Sequence, residues 1–183
     1  MSAEGFDGQQ SGLGWQRRWE LARGELTALT DSMRRGRLVS ATVLPLPVRR
    51  TLLRAGGVRI GRGVAGLRRC RIDNPHVTIA RDVYVNTGLQ VEGRAPVTIG
   101  AGVMIGPDVL ILTSTHDQLA DGTFGPTIYR PVTIGERCWL GARSVVLPGV
   151  TIGDGVIIAA GAVVAADCRE PGTYAGVPAK KVR

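Results

Sequence analysis

A chain of 183 residues is long enough for one domain and an appendage, and its 44% hydrophobic residues can build a core. With only 4% aromatics but 26 Gly, that core is one of small aliphatics, which argues against a helical bundle or an aromatic-filled sandwich. The formal charge of +8 belongs to the N-terminal part: residues 1–75 hold fourteen Arg and six acids, whereas nine basic residues meet nine acids beyond them. No base-stacking motif or finger spacing accompanies this charge, so nucleic acid is not the expected partner. An anionic membrane surface, an acidic substrate and a solvated basic face are the three readings left.

In chain order, residues 1–14 read as a flexible tail, without the basic-then-apolar pattern of a secretory leader. Trp15, Trp19, Ala22, Leu26, Leu29 and Met33 then fall at alternating steps of four and three, which predicts an amphipathic helix over residues 15–35 that stops at Gly36. Its expected role is to pack on the open end of the following domain. Peripheral contact with an anionic membrane is the alternative, because Trp and Arg suit lipid headgroups. Residues 15–56 thus form a basic helical appendage. The apolar run at residues 38–48 contains Ser40, Thr42, Pro45 and Pro47 and is far short of the roughly 20 residues a spanning helix needs. Cys70, Cys138 and Cys168 show no CxxC spacing, and such a set fits a reducing, cytoplasmic setting.

From Ile79 a period of six governs. Stepping by six from Ile134 gives Leu140, Val146, Ile152, Ile158 and Val164, and the register returns as Ile99, Ile105, Ile111 and as Ile79, Val85, Val91. The residue that follows is small at Gly135, Gly141, Gly153 and Ala159, and the fifth place holds Cys138, Ser144, Val150, Val156 and Ala162. Six is neither the helical 3.6 nor the alternation of two. It fits an all-β solenoid whose flat strand faces meet at corners, each face giving one buried aliphatic, with coils about 4.8 Å apart. The blocks lose phase twice. A small bulge is expected at Gly93-Arg94-Ala95-Pro96. A protruding loop, rich in polar residues, Gly and Pro, is expected at residues 117–131.

Only two histidines are present. His76 follows Asn74-Pro75 and reads as a turn residue. His116 ends Thr113-Ser114-Thr115-His116 at a coil corner where the long loop departs, which makes it a candidate catalytic residue.

These features together resemble the hexapeptide-repeat O-acetyltransferases, the maltose, galactoside and nodulation type. The resemblance rests on Ile99-Gly100-Ala101-Gly102-Val103 through His116 and on Pro131-Val132-Thr133-Ile134-Gly135 with Cys138-Trp139-Leu140-Gly141-Ala142. It continues through Val146-Leu147-Pro148-Gly149-Val150-Thr151-Ile152-Gly153 and ends at Tyr174-Ala175-Gly176-Val177-Pro178-Ala179-Lys180. It covers residues 57–183 and implies a left-handed parallel β-helix, a homotrimer with sites between subunits, and acetyl-CoA or another acyl-CoA as co-substrate without a metal. It further implies His116 as base, Asn86 with Tyr84 at the acceptor, Trp139 near the CoA tunnel and the Ala142 N–H as oxyanion donor. Gly141, Ala159 and Ala160 line the pantetheine path, and Lys180 and Arg183 meet the nucleotide phosphates. The chain departs from sugar-specific members at Glu92-Gly93-Arg94 and at Ala165-Ala166, and its Arg-rich appendage is closer to polysaccharide or natural-product acetyltransferases. The implied acceptor is a hydroxyl on a sugar, a polysaccharide precursor or a natural product. N-acylation of an amino sugar and a non-catalytic trimeric scaffold are the other readings. A γ-type carbonic anhydrase, which needs three His on zinc, is excluded by the histidine count.

Overall fold

The computed structural model describes residues 44–183. The tail at 1–14 and the helix expected over 15–35 lie outside the described residues. The first described element is helix α1, Leu46–Ala55, which lies within the expected helical appendage of residues 15–56 and begins inside the apolar run at 38–48. Pro45 is its N-cap and Pro47 stands in its first turn, where a missing N–H costs no intrahelical bond. The helix ends as the Gly56 N–H bonds the Leu52 and Leu53 carbonyls. Leu53 is fully buried with Val58, so α1 covers the mouth of the domain that follows. Two of its arginines serve that mouth: Arg49, itself buried, donates to Leu67 O at 3.3 Å, and Arg54 to Ile60 O at 2.8 Å.

The domain is a left-handed parallel β-helix. Three faces rise side by side. Face A stacks β1 (Arg59–Ile60), β4 (Val77–Ile79), β7 (Val97–Ile99), β12 (Val132–Ile134) and β15 (Thr151–Ile152). Face B stacks β2 (Ala65–Gly66), β5 (Tyr84–Val85), β8 (Met104–Ile105), β13 (Trp139–Leu140), β16 (Val156–Ile158), β18 (Gly172–Ala175) and β19 (Lys180–Lys181), the last antiparallel to β18. Face C stacks β3 (Arg71–Ile72), β6 (Gln90–Glu92), β9 (Leu110–Leu112), β14 (Val145–Val146) and β17 (Val163–Val164).

All twelve aliphatics of the period-six register are buried, each at most 1% exposed. Ile79, Ile99, Ile134 and Ile152 pair in register on face A; Val85, Ile105, Leu140 and Ile158 on face B; Val91, Ile111, Val146 and Val164 on face C. A further coil precedes them, with Ile60, Gly66 and Ile72 in the same columns. At Gly66 a Cβ would run into the Val85 carbonyl, and the neighbouring Leu67, at φ 57°, fills the core instead.

Where a small residue follows a column aliphatic, the cause is steric. A Cβ on Gly135 would fall within 2.8 Å of the backbone of Gly153 and Asp154, and one on Gly106 within 2.7 Å of Ala142 N. Coils stack so closely at these corners that the backbone of the next turn takes the space. The bulge at 93–96 is held by Thr113 Oγ1, which donates to Glu92 O at 3.1 Å. A matching corner one coil earlier is held by buried Asn74: its Nδ2 donates to Ala95 O at 2.6 Å and its Oδ1 accepts the His76 N–H at 2.8 Å, so His76 is a turn residue.

The expected loop at 117–131 is more regular than its composition suggests. It is an antiparallel hairpin of β10 (Ser114–Gln118) and β11 (Phe124–Tyr129), which takes His116 into its stem. The Arg130 N–H to Thr113 O bond of 2.9 Å closes its neck between faces C and A.

Candidate active site

Outward residues on face B form one ladder. Ala65 pairs with Tyr84, Tyr84 with Met104, Met104 with Trp139, Trp139 with Ile157, and Ile157 with Thr173. Tyr84, Met104 and Trp139 remain half-exposed, at 45%, 53% and 51%. Such large apolar side chains exposed in a row mark a surface that takes a ligand or partner. At the corner leading from face B to face C, the chain offers only Asn86, Gly106-Pro107, Gly141-Ala142 and Ala159-Ala160. Ladder and corner together enclose a groove of ≈ 590 Å³.

Seven residues chosen from the sequence line this groove: Tyr84, Asn86, Trp139, Gly141, Ala142, Ala159 and Ala160. Met104, Ile157 and Thr173 also line it and were missed. The signal was available, since Met104 and Ile157 each precede a buried column aliphatic and so share the outward place of Tyr84 and Trp139.

Polar groups in the groove are few and directed. Thr87 N–H donates to Asn86 Oδ1 at 2.8 Å, which orients the carboxamide and leaves its NH₂ as the free donor. Gly141 N–H bonds Ile158 O at 2.7 Å and Arg143 N–H bonds Pro107 O at 2.8 Å, but the Ala142 N–H between them meets no backbone carbonyl. The Ala160 N–H, one coil on, is in the same position. An unpaired backbone N–H on a groove wall is a fixed donor for a ligand oxygen.

His116 is not in the groove of its own chain. It is exposed on β10, opposite Thr127, with Nδ1 3.0 Å from Gly125 O. A carbonyl only accepts, so Nδ1 carries the proton of the neutral ring and Nε2 keeps its lone pair. Lys180 and Arg183 do not line the groove either. They flank its far end, where Thr173 N–H bonds Arg183 O at 3.0 Å and the Val182 N–H bonds Thr173 O at 2.8 Å. Lys181 is held by Glu170 at 2.8 Å; Lys180 and Arg183 make no ion pair among the described residues.

All three thiols are free and buried. Burial pushes Cys70 up to about 12 and raises Cys138 and Cys168 in the same direction. Cys138, beside Trp139, donates to Gly153 O at 2.9 Å. It is a protonated core thiol, a poor nucleophile. No described helix is long and apolar enough to cross a membrane.

Residues 131–166 match the family model described as bacterial transferase hexapeptide (six repeats). The chain is 36% identical over 109 residues to galactoside O-acetyltransferase of Escherichia coli K12, covering 59% of this chain and 54% of that protein. It is 39% identical over 77 residues to nodulation protein L of Rhizobium meliloti, covering 42% of each. The chain therefore spans about half the length of the curated relatives it matches. Among solved structures, a hexapeptide-repeat acetyltransferase of Vibrio cholerae in complex with acetyl coenzyme A superposes with a TM-score of 0.76 at 24% identity, over 98% of this chain and 92% of that one. A galactoside acetyltransferase in complex with coenzyme A gives 0.71 at 25% identity, over 97% and 84%.

Proposed function

We propose that this chain is an acyl-CoA-dependent O-acyltransferase of the hexapeptide-repeat kind, working as a homotrimer in the cytoplasm. The observation that carries the proposal is the groove on face B, which gathers Tyr84, Asn86, Trp139, Gly141, Ala142, Ala159 and Ala160. Its Gly and Ala corner leaves a smooth track for a thin pantetheine arm. Lys180 and Arg183 stand at the end of the track, where the charged nucleotide of CoA would lie. Relatives named as O-acetyltransferases support an acetyl donor and a hydroxyl acceptor.

His116 completes this site from the neighbouring subunit. Its hairpin leaves the corner between faces C and A, whereas the groove occupies face B and its exit to face C. Leu119, Phe124 and Tyr129 on the hairpin are 47%, 73% and 45% exposed, an apolar surface that a second copy would cover.

The reaction is direct. His116 Nε2 takes the proton of the acceptor hydroxyl as its oxygen attacks the thioester carbonyl, with the Asn86 amide holding the acceptor. Charge on the carbonyl oxygen is met by the Ala142 N–H. The tetrahedral adduct collapses with cleavage of the C–S bond, and the proton on His116 passes to the departing thiolate. The products are the ester and free CoA. The buried, protonated state of Cys138 speaks against an acyl-enzyme.

The test is thiol release from acetyl-CoA across a panel of hydroxylated acceptors. We expect release that depends on the acceptor, with ester product by mass spectrometry and no mass added to the protein. Release only with amine acceptors would make the enzyme an N-acyltransferase. No CoA binding at all would leave a non-catalytic scaffold and overturn the proposal.

A further inference from the structure

The whole of the +8 charge resides in α1 and the first coil. Residues 44–72 hold eight of the twenty-three basic residues and none of the fifteen acids, so the rest of the chain balances at fifteen of each. Some of these arginines have internal work: Arg49 and Arg54 bond the end-coil carbonyls, and Arg71 bridges Asp73 and Glu92 at 2.7 Å each. Others do not. Arg62, Arg68 and Arg69 sit exposed at corners of the first coil and make no ion pair among the described residues. Exposed like charges at neighbouring places repel one another, so a segment without acids of its own favours an anion. Arg62 is stacked on Asp82 of the next coil, whose N–H bonds Arg62 O at 2.9 Å, which leaves Arg68 and Arg69 as the candidates.

Its location gives the cluster a role. Arg68 lies on the corner that stacks directly on Asn86: the Leu67 N–H bonds Val85 O at 2.9 Å, the Gly88 N–H bonds Arg68 O at 2.9 Å, and Cys70 Sγ approaches Asn86 O at 3.8 Å. The groove ladder ends above Tyr84 at Ala65, which is too small to close it. The groove lining itself contains no charged residue. Cations therefore stand at both ends of an uncharged track: Lys180 and Arg183 at one, Arg68 and Arg69 at the other.

We propose that the hydroxyl acceptor carries a phosphoryl group, held by Arg68 and Arg69 one coil beyond Asn86. This rests on the reading of the groove as an acyl-transfer site, with its donor end at Lys180 and Arg183. Guanidinium groups bind phosphate through paired N–H donors, and the contact weakens with salt.

The experiment uses the full chain saturated with CoA, so that the donor end is filled, and titrates inorganic diphosphate by calorimetry. Wild type should bind it, tenfold or more weakly at 0.5 M NaCl than at 0.05 M. Arg68→Gln with Arg69→Gln should weaken binding at least tenfold, and Lys180→Gln with Arg183→Gln should leave it unchanged; thermal unfolding checks that both variants fold. A second arm compares galactose 1-phosphate with methyl galactoside as acceptors, expecting a kcat/KM preference for the phosphate that falls in the Arg68/Arg69 variant. Failure of CoA to bind sinks the acyl-transfer reading on which this rests, while diphosphate titrated into the free chain still tests the phosphate site itself. Absence of diphosphate binding, or its loss only through Lys180 and Arg183, overturns the proposal. So does binding of phosphatidylglycerol vesicles through Arg68 and Arg69 without binding of diphosphate, which would assign the cluster to a membrane surface.

Discussion

His116 has two separable neighbours: the Gly125 carbonyl 3.0 Å from Nδ1, and the acceptor that its Nε2 would meet. Because it lies outside the groove of its own chain, His116→Ala should lower turnover by roughly 10²- to 10⁴-fold and leave CoA affinity unchanged. Stopped thiol release with intact calorimetric CoA binding is the expected pair of results. Gly141 stands under a different constraint. A Cβ there would lie 2.5 Å from Ala160 N and 2.7 Å from Ala159 C, so Gly141→Ala forces two coils apart and should cost about 1–3 kcal/mol. A lowered melting temperature checks this, and an unchanged one contradicts the tight stacking. Cys70 contributes at alkaline pH. Burial raises its pKa from 9.0 to about 12, so between those values the unfolded chain releases a proton that the folded chain keeps. Stability should thus be insensitive to Cys70 below pH 9 and fall as pH rises from about 9 to about 12. Urea midpoints measured across that range should fall less steeply for Cys70→Val.

Among elements, those legible in the sequence are the ones whose side chains carry the pattern. Twelve coil positions could be read because each sends one aliphatic inward, and all twelve are buried. The first coil escaped because Gly66 stands where an aliphatic was sought, while Leu67 supplies the buried side chain from a left-handed backbone. Helix α1 falls within the expected helical appendage, and its start is explained by Pro45 and Pro47, which sit where no N–H is required. The hairpin escaped because both its faces are largely exposed, so no alternation marks it and backbone pairing does the holding. The groove was legible in its corner residues through family resemblance; Met104 and Ile157 could have been found from the outward place they share with Tyr84 and Trp139, whereas Thr173 lies in a strand outside the period-six register. The hairpin's independence from the coils makes it separable. Replacing residues 115–128 by Asn-Gly joins Ser114 to Tyr129, which already face each other. The resulting chain should keep its far-UV spectrum and melt within a few degrees of wild type while losing turnover. A collapse of the coils would show instead that the hairpin is structural.

At the scale of the molecule, the proposed function divides one site between two chains: the groove of one subunit would position donor and acceptor, and the hairpin of the next would supply the base. A single chain holds both halves on different edges of the same prism, so its own halves do not meet. Light scattering should accordingly give three times the 19.4 kDa chain mass. Complementation tests the division most directly. His116→Ala chains keep the groove, and Ala160→Trp chains keep the base while their groove is blocked. Each alone should be inactive. Unfolded together and refolded in equal amounts, they should recover roughly a quarter of wild-type turnover, the share of sites in a randomly mixed trimer that draw an intact hairpin and an intact groove from different chains. Recovery near that level is the predicted result. No recovery from mixed trimers of confirmed composition would contradict a site shared between subunits.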